Sequence, residues 1–307
     1  MLKGVILAAG HGARLGPFGK QNPKPIIPIA NKPLIYYQIE ILKSLGIQDI
    51  IIVVGHLGFR IIQTVGIGKE FGVNIHYVEQ EKRLGLAHAV GQLETLIQEP
   101  FLLILGDIFF YGPNLISMVD TFINEKCDCV IATKIEDDME NIKRNFSVLT
   151  DENNNVIQLI EKPKFPKTNI KGCGIYLFKE TIFEGIHRTP RTALRDEYEL
   201  TDSIQIMVDL GYRVKALPVV EWDVNITFIK DLISCCLFEL KRQGKNLIQG
   251  ENSHIGENCK LVNTVIGNNV IIGNYSELIE CVILDNVNIP PGTKLSHRVV
   301  SEEGVLD

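Results

Sequence analysis

As far as about residue 220 the chain switches repeatedly between two hydrophobic rhythms. Largely apolar segments at residues 4–8, 50–54, 75–78, 101–105, 129–133, 172–178 and 213–217 are the strand candidates. Between them, apolar positions recur at helical spacing over 33–45, 57–71, 86–98, 113–125 and 201–210. Several of these segments end at a glycine (Gly46, Gly72, Gly211) placed as a C-cap. This alternation predicts an α/β fold: a Rossmann-like, mostly parallel sheet with helices on both faces. Ligands of such sheets bind outside the carboxyl ends of the strands. Gly10, Gly55-His56 and Asp107 fall at that edge.

From Ile255 the rhythm changes to IGENCK, LVNTV, IGNNVI, IGNYSE, LIECV, ILDNVN and IPPGTK, with an apolar residue every five or six positions. Glycine or asparagine follows in the turns. A hexapeptide period of this kind predicts a short C-terminal left-handed parallel β-helix, three units to a coil. A plain antiparallel extension accounts less well for a repeat held over seven units. So small a solenoid leaves an apolar end uncovered, so packing on the rest of the chain or in a homo-oligomer is expected. A helix at 228–246, carrying Phe228, Leu232, Cys235, Cys236 and Leu240, leads into a Gly-Lys-Asn hinge. The expected division is a catalytic domain at 1–227, a connecting helix and hinge at 228–250, and the β-helix at 251–307.

The first strand, Val5-Ile6-Leu7, runs straight into a glycine turn followed by Arg14, Lys20 and Lys24, with Pro17, Pro23, Pro25 and Pro28 interspersed. Glycines let backbone N–H groups close on phosphate oxygens, and the cations neutralise their charge. Three cations behind such a turn suggest a triphosphate. A dinucleotide fingerprint fails, because Leu15 stands where its third glycine belongs and no acidic residue ends the strand at 50–54. A P-loop fails too, since Gly19-Lys20 is followed by Gln21. An ordinary strand-to-helix turn explains the glycines but not the ordered cations and prolines.

Composition narrows the partners. With 307 residues, 45% of them apolar, the chain fills one large domain and a small one. A net charge of −6 argues against wrapping nucleic acid, so phosphate binding must come from a local cluster. The first strand leaves no room for a signal peptide, and no apolar run approaches a membrane-spanning length. Seven unevenly scattered cysteines fit reduced thiols in a cytoplasmic protein. Cys127-x-Cys129 and Cys235-Cys236 lack partners at zinc spacing and read as buried packing residues.

The stretch GVILAAGHGARLGPFGKQNPKPIIPIANKP resembles the signature of the sugar-1-phosphate nucleotidylyltransferases, approximately LAAGxGxRLxPxTxxxPKPxxPIxxKP. Phe18-Gly19 replaces the usual hydrophobic-Thr pair. Other resemblances follow in order as far as about residue 235, and LGDIFFYG, the Gln80 loop and the tail together resemble long-form glucose-1-phosphate thymidylyltransferases. The resemblance implies that Leu7, Ala8, Ala9, Gly10 and Gly12 bind the nucleotide, and that Arg14 and Lys24 clamp phosphates. Gln80 and Gly85 lie in a segment similar to the base-recognition loop EQxxxxGLAxA, where a glutamine amide both donates to and accepts from a pyrimidine edge. His88, a lone helical histidine, is assigned no chemistry.

Asp107, read alone, serves equally as a Mg²⁺ ligand or as a helix cap; LGDIFFYG resembles LGDNxFYG, whose aspartate binds the metal. Asp223, in Glu-Trp-Asp-Val-Asn, is the expected second ligand, with Asn225 able to share the role and a turn aspartate as the structural reading. Glu161-Lys162-Pro163 matches the family's EKP, implying that Glu161 meets sugar hydroxyls and Lys162 the sugar phosphate. Gly174, Glu199 and Thr201 fall in segments similar to those of the sugar pocket. Asn145-Phe146-Ser147 departs from the aromatic-Gly pair usual before this strand.

The implied reaction is Mg²⁺-dependent transfer of a nucleoside monophosphate from dTTP to glucose 1-phosphate. UTP is the alternative donor, cytosine being disfavoured by its reversed donor pattern. A non-catalytic sugar-nucleotide-binding homologue is a second class, motivated by Phe146-Ser147 and the segment after Trp222. An acyltransferase would need more coils than this tail provides.

Overall fold

The computed structural model describes residues 2–10, 12–193 and 196–306. The chain divides into two compact units, one formed by Met1–Gly10 and Gln38–Asp223, the other by His11–Tyr37 and Val224–Asp307.

The first unit is built on a nine-stranded sheet. Its strands are β1 (Lys3–Ala8), β2 (Asp49–Val54), β3 (Asn74–Glu79), β4 (Phe101–Leu105), β5 (Cys129–Ile135), β6 (Phe146–Thr150), β7 (Val156–Glu161), β8 (Ile170–Phe178) and β9 (Val214–Leu217). The order is β7-β6-β8-β4-β1-β2-β3, with β5 paired to β8 and β9 to β5. β1 lies parallel to both β4 and β2, in register Leu7↔Leu105 and Leu7↔Val53. These central strands are continuous apolar runs because both faces are covered: Val5, Ile6, Ile52, Val53, Leu103 and Ile104 have no exposed surface.

The parallel expectation holds for β4-β1-β2-β3 and for β9 with β5. It fails at β6, β7 and β8, which run antiparallel to their neighbours. Residues 151–155 and 162–169 are the only chain between these strands and hold no helix, too little for a parallel crossover. The segment expected to be helical over 57–71 stops at Val65, where Gly66 takes φ 61°. That expected over 86–98 is helical only over Leu86–Gly91; turns then keep Leu93 and Ile97 in the core.

In the second unit the tail forms three narrow parallel sheets that match a parallel β-helix. The first coil opens at Leu247–Gln249, which pairs with Thr264–Ile266; that strand pairs in turn with Val282–Ile283. Stacked residues are 17 apart, one fewer than three hexapeptides, and Ile266, Ile272, Leu278, Ile283, Ile289 and Val300 line the interior. Non-glycine residues turn the corners in the left-handed region, among them Asn252, Asn269 and Asn286, whose amides form a ladder (3.4 and 3.1 Å). The return strand Gly304–Leu306 pairs antiparallel with Val299–Ser301 and covers the last edge of one sheet. The helix Ile229–Arg242 precedes the β-helix, with Cys235 and Cys236 fully buried.

Candidate active site

In the first unit, the carboxyl ends of β1, β2, β3 and β4 converge on one edge. Gly106 N–H donates to the Leu7 carbonyl (2.8 Å), which holds Asp107 beside the end of β1. Gln80 N–H donates to Val54 O (2.8 Å), tying the base-loop candidate to the end of β2. Leu7, Ala8, Ala9 and Gly10, expected to bind nucleotide, therefore share this edge with Gln80 and Asp107.

Gln80 is buried, and its amide nitrogen lies 3.4 Å from His88 Nδ1. Burial and the nearby Lys82 hold the His88 imidazole below its ordinary pKa. In the tautomer with its proton on Nε2, the ring accepts at Nδ1 from the Gln80 amide N–H, which orients that amide. His88, read from the sequence as a lone helical histidine without chemistry, thus stands beside the Gln80 amide. Gly85 (φ 107°) is fixed by close approach: a Cβ there would lie 2.4 Å from the Tyr198 carbonyl oxygen. Tyr198 N–H donates to Leu84 O and its carbonyl accepts from Ala87 N–H, so the base loop and the Glu199 segment are clamped together.

Three predicted sugar-side residues meet directly. Lys162 Nζ lies 3.5 Å from Glu161 Oε1, and Thr201 Oγ1 donates to Glu161 Oε2 (3.3 Å). Lys162 sits in the left-handed region (φ 45°), its N–H held by Asn145 O (2.7 Å). Such a strained backbone outside glycine is expensive and is kept where the surroundings impose it. Its side chain stays 46% exposed, accessible to an anion. Glu199, the N-cap residue of the helix Leu200–Asp209, and Thr201 are both buried. Gly174 takes φ 68° within the irregular stretch of β8, where the register shifts between Gly172 and Tyr176.

The departure at Phe146-Ser147 has a packing explanation. Phe146 stacks on Tyr176 (centroids 6.1 Å apart) and fills the space over Gly172, where a Cβ would fall 1.8 Å from its ring. Ser147 is buried opposite Ile160 and Lys171.

Asp223 occupies an unforeseen arrangement. Both its carboxylate oxygens accept hydrogen bonds from Lys171 Nζ at 2.7 Å. Lys171 also lies 3.5 Å from Glu136, which pairs with Lys134 at 3.3 Å. Burial alone would lower the Lys171 pKa, but Asp223 together with its other neighbours, Glu136 among them, outweighs it and holds the ammonium above its usual value. The signal available in the sequence was a lysine inside the apolar strand IKGCGIYLF, a residue type rarely buried without a partner. Asp107, half-buried at a strand end, suits a hard divalent cation. Asp223 fits that role less well, because an ammonium already sits on both its oxygens. Among the described residues, no group of three or more His, Cys, Asp or Glu side chains is arranged to hold a metal.

Arg14 and Lys24 belong to the second unit. Gly12 (φ 61°) opens the turn carrying Arg14, which is exposed. Gly19 approaches so closely that a Cβ would lie 2.2 Å from the Gly12 carbonyl oxygen, which accounts for glycine at the position where the signature has threonine. Lys24 is half-buried at the start of a short 3₁₀ turn, Lys24–Ile26.

The nucleotidyl transferase family matches residues 3–224. The chain belongs to that family. Its relatives include the low-salt glycan biosynthesis nucleotidyltransferase Agl11 of Haloferax volcanii, 36% identical over 72% of this chain and 61% of that protein. A glucose-1-phosphate thymidylyltransferase of Streptomyces griseus is 35% identical over 70% of this chain and 59% of that one. The UTP–glucose-1-phosphate uridylyltransferase AglF of Haloferax volcanii is 31% identical over 75% and 93%. A solved structure from Bacillus anthracis, assigned as a glucose-1-phosphate thymidylyltransferase and crystallised with sucrose, is 30% identical with a TM-score of 0.68, covering 78% of this chain and 95% of that one. The chain spans about three fifths of the length of the Agl11 and Streptomyces griseus proteins. Among the described residues, no helix is long and apolar enough to cross a membrane.

Proposed function

We propose that the protein transfers a nucleoside monophosphate from dTTP to glucose 1-phosphate, releasing pyrophosphate. A sugar-phosphate oxygen attacks the α-phosphorus, forming the new P–O bond. The bond from the α-phosphorus to the bridging oxygen breaks, and pyrophosphate leaves with that electron pair. The nucleophile is already an anion, so the protein need supply no base; it must hold two anions together in line. In this reading Lys162 meets the sugar phosphate while Glu161 and Thr201 meet hydroxyls. Gln80, oriented by His88, reads the base edge, and Arg14 and Lys24 neutralise the triphosphate. Asp107 would hold a divalent ion, which supplies further charge neutralisation when bound.

The observation that carries this reading is the Glu161–Lys162–Thr201 cluster: an exposed cation in strained backbone beside a carboxylate and a hydroxyl able to bind a polyol. UTP is the second donor to consider, motivated by the 31% identity to a uridylyltransferase. The two nucleotides differ by a base methyl and a 2′-hydroxyl, and a methyl contact discriminates by only about 1–3 kcal/mol. The test is pyrophosphate release with dTTP, UTP, CTP and GTP crossed with several sugar 1-phosphates and Mg²⁺. The greatest turnover is expected with dTTP and glucose 1-phosphate. Faster turnover with UTP would move the assignment to the second donor, and no release in any combination would leave a binding protein.

A further inference from the structure

The second unit contains a strained turn that the phosphate-binding role does not itself require. Short strands Pro28–Ile29 and Lys32–Pro33 form a hairpin closed by Ala30 and Asn31, both at positive φ (49° and 64°). A two-residue turn of this kind favours asparagine and glycine, and alanine is a poor choice for it. External bonds hold it in place. Ala30 N–H donates to Cys236 Sγ at 3.4 Å, and Asn31 Nδ2 donates to the Ile266 carbonyl at 2.7 Å. That carbonyl already accepts Gly250 N–H in the β-helix ladder (2.8 Å), so Asn31 takes its second acceptor site. Nearer the glycine turn, Gln21 Nε2 donates to Glu303 Oε1 at 3.2 Å.

The signature segment is thus fastened to the connecting helix and to the β-helix. Lys24 stands four residues before Pro28, with Ile27 N–H returning to its carbonyl (3.1 Å) and Leu34 N–H donating to Ile27 O (3.1 Å). Displacement of the hairpin therefore displaces the backbone that carries Lys24. Cys236 serves as a buried acceptor and not as a nucleophile, since burial pushes its thiol up to about 12.

We propose that Asn31 is a positioning residue for nucleotidyl transfer, through which the β-helix fixes the cationic segment that meets the triphosphate. This rests on the reading of Lys24 and Arg14 given above. The β-helix then serves the reaction within a single chain, without any requirement for a second copy.

The test uses the full-length protein and Asn31→Gly, which keeps positive φ but removes the amide donor. Binding of dTTP and of UTP is measured by calorimetry, alongside the melting temperature and the KM for glucose 1-phosphate. About tenfold weaker binding of both nucleotides is expected, the loss of roughly one good hydrogen bond's positioning. The melting temperature and the KM for the sugar phosphate should stay nearly unchanged. Lys24→Ala is the control for the underlying reading, and Asn31→Gly added to Lys24→Ala should cost little more than Lys24→Ala alone. Unchanged nucleotide binding in Asn31→Gly, with Lys24→Ala impaired, overturns the positioning role and leaves the reading of Lys24 standing. Unimpaired binding in Lys24→Ala defeats that reading instead. Equal weakening of both substrates together with a lowered melting temperature shows Asn31 to be structural only and also overturns the proposal.

Discussion

The sheet and the β-helix both stack parallel strands, yet from opposite kinds of sequence. In the sheet, Lys3 pairs with Phe101 and Gly4 with Ile50, so neighbours come from distant parts of the chain. In the β-helix each parallel pairing joins residues 17 apart, and the same environments recur coil after coil. Repetition makes the second architecture nearly one-dimensional, each coil answering only to its neighbours. The sheet gathers different elements at one edge, which is where Asp107, Gln80, Lys162 and the Lys171–Asp223 pair stand. Non-local assembly is slower to form, but it alone brings unlike side chains from remote segments together.

Substitutions at the sheet edge should therefore separate stability from activity, while those in the β-helix away from the Ile266 anchor of Asn31 should act on stability alone. The largest effect is expected at Asp223. Replacing it with alanine strands a buried ammonium and should lower unfolding free energy by about 3–5 kcal/mol in denaturant titration. The double variant Lys171→Met with Asp223→Leu should recover most of that loss. Full stability in Asp223→Ala would break the view that the pair is a strut and return Asp223 to the metal. Lys162→Ala should next cost about 10²–10³-fold in turnover and leave the melting temperature in place, as read by pyrophosphate release and thermal melting.

In the β-helix, Asn269→Ala removes both hydrogen bonds of the amide ladder and puts a Cβ-bearing residue without that support in left-handed backbone. It should cost about 1 kcal/mol, with nucleotide binding unaffected. Asn269→Gly should lose less, because glycine accepts that conformation. The smallest effect concerns pH. Burial alone would raise the Glu136 pKa, but Asp138 N–H, Lys134 and Lys171 outweigh it and hold the carboxyl below its usual value. Its contribution to stability is then complete above the ordinary carboxylate pKa and is lost as pH falls through the lower folded value. Melting temperature should fall over that acid window, and less steeply in Glu136→Gln.

The comparison also explains which features could be read early. β1, β2, β4 and the tail announce themselves through unbroken or recurrent apolar residues. β6 and β7 do not: VIQLIE exposes two adjacent positions in mid-strand and mixes polar residues with its buried ones. The glycine turn was legible in its spacing, whereas Lys162 and Asp107 entered as candidates through the family resemblance of their segments. The Lys171 partnership was not, and neither was the orientation of Gln80 by His88. Phe146 over Gly172 was equally hidden, since a glycine needed for a ring's thickness looks in the text like any other.

The sequence by itself determined the alternation of strands and helices, the cationic signature and the five- to six-residue repeat of the tail, because each is a spacing along covalently linked neighbours. Only the tertiary structure decided that Lys171 meets Asp223 across 52 residues and that Asn31 meets Ile266 across 235. Those meetings depend on strand register and on which element covers which, and a buried charge or a strained turn persists only where such a distant partner arrives.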